Sequence, residues 1–231
     1  MALGIRLRAG AVFESFAPGF NGELLAVLRS QSTLPLWIWG ARGTGKTHLL
    51  QAAAAAVNRN SAYFPLDRRV ALPPEALLGF AGLQVLCVDD VDAVAGDLQW
   101  ETALFRLFNE AAELGTRLIF AARAAPQALH WCLEDWQSRA GACVVYQLRD
   151  LDDDGRSEAL RLRAAQRGLE MPPETLDYLM RRMPRDLPTL LGILDQLDEA
   201  SLVAQRRLTI PFIRDALDRH AKFKTPLSTG P

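Results

Sequence analysis

The sequence predicts an α/β protein: a parallel β-sheet with helices on both faces, followed by a small all-helical subdomain. Three observations carry that reading. Short apolar runs, among them Leu34–Trp39, Leu83–Val88 and Arg117–Ala122, alternate with segments of helical period. That is the pattern of strands buried on both faces and joined by crossover helices. The first run feeds a glycine loop, Gly40-Ala-Arg-Gly-Thr-Gly-Lys-Thr47, with the spacing G-x-x-x-x-G-K-[ST] between strand and helix. From about residue 150 onward every periodic segment is helical.

The chain has 231 residues, enough for one large domain or two small ones. With 26 basic and 27 acidic residues its net charge is −1, which argues against non-specific binding to nucleic acid or membranes. Cys87, Cys132 and Cys143 have no C-x-x-C spacing, and an odd, sparse count fits a reducing compartment. Cys87 and Cys143 lie in apolar runs and are expected in the core. No run is long enough for a membrane span, and no signal peptide is evident, so a cytoplasmic protein is expected.

Taken in order, residues 1–12 read as an irregular N-terminal segment. After Phe13–Phe16, Leu24, Leu25 and Leu28 recur at helical spacing in a helix ending near Arg29. Leu34–Trp39 is the first strand. A helix begins near Lys46 and continues through the alanines 52–56, strong helix formers. Ala62–Leu66 is a short strand, and Pro73-Pro74 opens a short helix to Leu78. Leu83–Val88 is a buried strand ending in Asp89-Asp90. Leu98–Leu114 is a helix stopped by Gly115. Arg117–Ala122 and Cys143–Leu148 are strands, with short helical pieces over 126–139 between them. The α/β core is therefore placed at 13–155. A helical subdomain at 156–220 is read from helical patterns over Asp153–Arg167, Pro173–Arg182, Arg185–Ala204 and Pro211–His220. Leu187, Leu190, Leu191, Leu194 and Leu197 form its apolar stripe. Residues 221–231 read as a frayed tail.

The chemistry concentrates at two strand ends. Gly40, Gly43 and Gly45 let backbone N–H groups turn toward one centre. Thr44 and His48 flank the residues that do the charge work: Lys46 offers a cation to the phosphates and Thr47 a hydroxyl to Mg²⁺. The helix N-terminus adds its positive end. Asp89 is the expected Mg²⁺ acid, and Asp90 is placed to polarise an attacking water. Arg123, Arg139 and Arg185 follow a strand, precede a strand and open a long helix. Arg106, Arg161, Arg163, Arg181, Arg182, Arg206 and Arg207 are read as solvated helix faces. His48, His130 and His220 are too scattered to form a metal site of their own.

Several stretches resemble a known family. Phe13-Glu-Ser-Phe16, Gly19 and Asn21 are similar to the start of the nucleotide-binding domain of DnaA initiators. So are Thr47-His-Leu-Leu50 and Val88-Asp-Asp-Val-Asp92 with Ala95-Gly-Asp97. The stretch from Leu194 through Leu197, Ala204 and Leu208 to Phe212 resembles the Hda family, the DnaA-homologous regulatory inactivators. The likeness runs from Phe13 to Leu217. It implies an AAA+ P-loop core with a helical lid, binding ADP or ATP with Mg²⁺. It implies a regulator that promotes hydrolysis of ATP bound to DnaA and so restrains re-initiation of replication. Arg139 then corresponds to an arginine finger acting in trans, and Arg185 to a second nucleotide sensor. The implied partners are DnaA and the polymerase sliding clamp, with homo-oligomer formation a further expectation. The implied location is the bacterial cytoplasm, nucleoid-associated through those partners.

The sequence departs from the family in two places. Arg123 stands where these proteins carry an acidic first sensor, which points to weak autonomous hydrolysis. At the N-terminus the clamp-binding peptide is incomplete: Met1-Ala-Leu3 lacks the family's glutamine, although Ile5-Arg-Leu-Arg8 resembles what normally follows it. Weak clamp binding is expected. Gln31-Ser-Thr-Leu-Pro-Leu36 imitates a clamp peptide but leads into the first strand, and is read as structural. No DNA-binding domain follows the lid region, so no sequence-specific DNA contact is expected. The alternative function is a self-sufficient P-loop ATPase such as a helicase loader.

Overall fold

The computed structural model describes residues 10–57, 60–67, 73–204 and 208–223. The segment 1–9, with its clamp-peptide remnant, Arg206, Arg207 and most of the tail lie outside them. The chain divides into two compact units between Leu151 and Asp152.

The first unit is built on five parallel strands: β1 (Leu36–Trp39), β2 (Ser61–Pro65), β3 (Val85–Asp89), β4 (Arg117–Ala122) and β5 (Val144–Gln147). Their order is β2-β3-β4-β1-β5. Strand β1 pairs with β4 and β5, placing Leu36 opposite both Ile119 and Val144. β1 starts later than the sequence suggests, because Leu34 is 58% exposed ahead of Pro35. The end of the Gln31–Leu36 segment is thus sheet: Leu36 is buried.

Side chains alternate across the pleat. Trp37, Leu86, Val88 and Phe120 face one apolar cluster, with Leu104, Leu107 and Trp136. Leu36, Ile38, Cys87, Ile119 and Ala121 face another, with Leu24, Leu49 and Ala53. The first cluster is covered by α3 (Leu98–Leu114) and α4 (Glu134–Gly141), the second by α1 (Gly22–Arg29) and α2 (Lys46–Ala56). Helices on both faces explain why β3 and β4 are buried throughout. β5 is an edge, and Val144 and Val145 remain part-exposed. Cys87 and Cys143 are buried, as expected, and burial raises both thiols.

Between the strands, Pro74–Leu77, Val91–Val94 and Pro126–Ala128 form single 3₁₀ turns. Arg117 opens β4 and is buried at 7% exposure. It donates to the carbonyls of Val27, Leu28 and Ser30 at the end of α1.

The second unit contains α5 (Asp153–Gln166), α6 (Pro173–Arg182), α7 (Leu187–Ala204) and α8 (Ile210–Phe223). It begins ahead of the expected break after residue 155, because the Asp152 side chain caps α5 by accepting from the Gly155 N–H at 2.8 Å. Leu160, Leu179, Leu190, Leu194, Leu197 and Ile213 share its core. Arg163 was expected on a solvated face. Instead it joins Arg167 in bridging α5 to Asp195 and Asp198 of α7. Among the described residues, no helix is long and apolar enough to cross a membrane.

Candidate functional site

Because all five strands run the same way, the carboxyl ends of β1, β4 and β3 open on one edge of the sheet, where ligands of such folds bind. Those ends carry the glycine loop, Arg123 and the Asp89-Asp90 pair.

Gly40 leaves β1 under tight packing. A Cβ there would sit 2.4 Å from the Leu148 carbonyl oxygen, so only glycine fits. Gly45 caps α2 at φ 103°, and its Cβ would meet the Phe16 ring at 2.8 Å. Lys46 is buried at 7% exposure, and its ammonium donates to the carbonyls of Gly40 at 2.7 Å and Ala41 at 2.9 Å. The loop thus wraps its own cation. Burial lowers the Lys46 pKa, while Asp89, Asp90 and Asp92 oppose the shift.

Asp89 ends β3 at 1% exposure. One carboxylate oxygen accepts from the Thr47 hydroxyl at 2.6 Å and the Tyr63 hydroxyl at 2.8 Å. The other accepts from the Asp90 N–H at 2.9 Å. Tyr63 is also hydrogen-bonded by the Gln51 side chain. Burial, and then the charge of Asp89, push the Tyr63 phenol far up, so it stays a donor. Asp90 follows at φ 54°, the one positive φ outside glycine among the described residues. Backbone held in that region by a non-glycine residue points toward a functional turn. Burial raises the Asp90 carboxyl, with Asp89, Asp92 and Asp67 adding to the shift.

Arg123 does not stand free. Its N–H donates to Asp92 Oδ1 at 2.9 Å, and its Nε lies 3.6 Å from Oδ2. Arg139 sits in the last turn of α4 with an exposed side chain, its guanidinium carbon 5.9 Å from the Phe108 ring centroid. Trp136 and Ala140, on the same helix, are fully buried. Arg139 therefore projects from a firmly seated helix. Among the described residues, no carboxylate pairs with it.

The structure adds to one expected placement and changes another. His48, expected among the nucleotide-binding residues, follows Thr47 on α2, and its Nε2 lies 3.1 Å from Ser15 Oγ and 3.0 Å from the Val12 carbonyl oxygen, pinning the entry segment. Arg185 does not open the long helix. It precedes α7, where Asp186 Oδ1 accepts from the Thr189 N–H as a cap, and it pairs with Asp153 at 2.7 Å.

Three residues here were not anticipated. Gln51 lies four positions after Thr47 on α2, a lone amide in an alanine face, and Tyr63 is the hydroxyl-bearing residue of β2. Glu101 is fully buried in α3 and accepts from the N–H groups of Gly96, Cys132 and Leu133. It ties the turn after Asp89-Asp90 to the start of α4. The readable signal was a glutamate on the apolar face of a helix.

The donor set suits a magnesium-bound nucleotide. Thr47 and Asp89 present hard oxygens beside the Lys46 cation. Among the described residues, no group of three or more His, Cys, Asp or Glu could hold a metal ion. An ion here would accordingly draw most of its shell from phosphate and water.

Residues 153–217 match the family model described as "Hda, lid domain". Among solved structures, domain III of the Thermotoga maritima replication initiation protein DnaA is similar at TM-score 0.76 and 23% identity, over 93% of this chain and 98% of that one. AMPPCP-bound DnaA from Aquifex aeolicus is similar at TM-score 0.71 and 22% identity, over 94% of this chain and 70% of that one. A Thermotoga maritima RuvB variant is similar at TM-score 0.62 and 14% identity, over 85% of this chain and 65% of that one. At these identities the structural likeness is one of fold, and that fold is AAA+.

Proposed function

We propose that this chain is a DnaA-related protein of the Hda family and acts as a nucleotide-holding regulator of the replication initiator. In this reading it binds ADP or ATP with Mg²⁺ and promotes hydrolysis of ATP bound to DnaA, restraining re-initiation. The match of residues 153–217 to the Hda lid carries the reading. The site geometry supplies its chemistry.

Lys46 and the loop N–H groups hold the phosphates. Thr47 and Asp89 hold the metal, which neutralises phosphate charge when bound. Arg139 works on a partner. An exposed guanidinium on a rigid helix is a fixed cation that can be delivered where charge develops on a neighbour's nucleotide. Arg123, occupied by Asp92, leaves the chain's own site without the acidic first sensor. Its own hydrolysis is therefore slow, and the resident nucleotide acts as a conformational ligand. The role of Arg185 as a second sensor rests on the family resemblance. So does the sliding clamp as the platform for the encounter.

The test is single-turnover hydrolysis of labelled ATP preloaded on DnaA, with DNA-loaded clamp, with and without this chain. Faster loss of ATP with the chain supports the reading. Rapid ATP turnover by the chain alone would favour the self-sufficient ATPase instead.

A further inference from the structure

Asp89 is held by more than the phosphate loop. Thr47 and Gln51 are four residues apart on α2, so both side chains lie on one face of the helix. Thr47 reaches Asp89 directly at 2.6 Å. Gln51 reaches Tyr63, whose hydroxyl donates to the same carboxylate oxygen at 2.8 Å. The four side chains link α2, β2 and β3. Gln51 is 4% exposed and Asp89 1%, while Thr47 and Tyr63 are half-buried.

We propose that Tyr63 and Gln51 are positioning residues for the magnesium-bound nucleotide: the Gln51–Tyr63 relay sets the plane of the Asp89 carboxylate. The proposal rests on the nucleotide-and-Mg²⁺ reading above. An aspartate carboxylate rotates in a broad, shallow well unless its oxygens are tied. Here the Asp90 N–H ties one oxygen and two hydroxyls tie the other. The Thr47 hydroxyl is itself expected on the metal, so Tyr63 is the side-chain tie on Asp89 with no metal duty of its own. Hydrogen bonds of this kind orient metal ligands and raise affinity for the ion. A tyrosine placed only for packing would be replaced by phenylalanine without consequence for the metal.

The experiment measures ADP affinity of the full chain in Mg²⁺ and again in EDTA. Wild type should bind ADP more tightly with Mg²⁺, and Asp89→Asn should lose that gain. Tyr63→Phe should keep the EDTA affinity while its Mg²⁺ gain falls by ~10-fold, the lower end of what such partners contribute to metal affinity. Gln51→Leu should show a smaller fall in the same direction, and decides the matter if Tyr63→Phe does not fold. A full Mg²⁺ gain in Tyr63→Phe, or an equal loss in EDTA, overturns the proposal. A wild-type chain that binds ADP without any Mg²⁺ gain overturns it alone and leaves the nucleotide reading standing. Absence of ADP binding by wild type in both conditions removes both.

Discussion

At the scale of single residues, the site depends on a few charges kept out of water. Lys46 is the clearest, buried with its ammonium on two loop carbonyls. Lys46→Ala should fold but lose ADP binding, and with it the rise in Tm that ADP gives wild type, since a ligand bound only to the native state stabilises it by mass action. Undiminished ADP affinity in that variant, by calorimetry, rules out the loop as the phosphate site. Asp90 offers a pH test. Its folded pKa is raised, so its ionisation opposes folding. The penalty is absent below the ordinary carboxylate range near pH ~4 and complete once the pH passes the folded pKa. Asp90→Asn should therefore raise Tm at pH 7. Asparagine also tolerates the positive φ. The gain should vanish below pH ~4; a gain that persists there contradicts the charge argument. The place of the loop between β1 and α2 and that of Asp89 at the end of β3 were legible, because glycine spacing and an apolar run ending in acid mark them. The Gln51–Tyr63 relay was not, because a hydrogen bond across β2 and β3 leaves no trace in either local sequence.

At the scale of elements, the periodic segments read well. Leu98–Leu114 and Arg117–Ala122 form as their patterns indicate, because seventeen residues of amphipathic helix and a doubly buried strand leave little room for another pairing. Shorter edges were misjudged. β1 leaves out Leu34, which is exposed, and Pro35, and Arg185 falls outside α7 because Asp186 caps that helix. Such boundaries are set by single caps and prolines, to which hydrophobic periodicity is blind. Glu101 is the unanticipated element-scale residue, joining Gly96 to the start of α4. In Glu101→Gln, an NH₂ must face backbone N–H groups. We expect a loss of ~1.5–3 kcal/mol in chemical denaturation, the range for hydrogen bonds to charged groups. ADP affinity should hold. A denaturation midpoint equal to wild type would mean that the three contacts contribute nothing net.

At the scale of the whole molecule, the chain joins an AAA+ core to an Hda-type lid. Both were legible: strands stop near residue 150 and helical periods take over. In the proposed function, action on the partner's nucleotide turns on Arg139, exposed above Phe108 on a helix anchored by Trp136. Geometry of this sort separates two kinds of damage. Removing the guanidinium should leave the chain's own fold and pocket intact, because it holds nothing there together. The most direct measurement is hydrolysis of ATP on DnaA, with DNA-loaded clamp, driven by wild-type chain and by Arg139→Ala at equal ADP occupancy. The account predicts stimulation by wild type and its loss in Arg139→Ala, with ADP affinity and Tm unchanged. Stimulation by Arg139→Ala at the wild-type rate would contradict it.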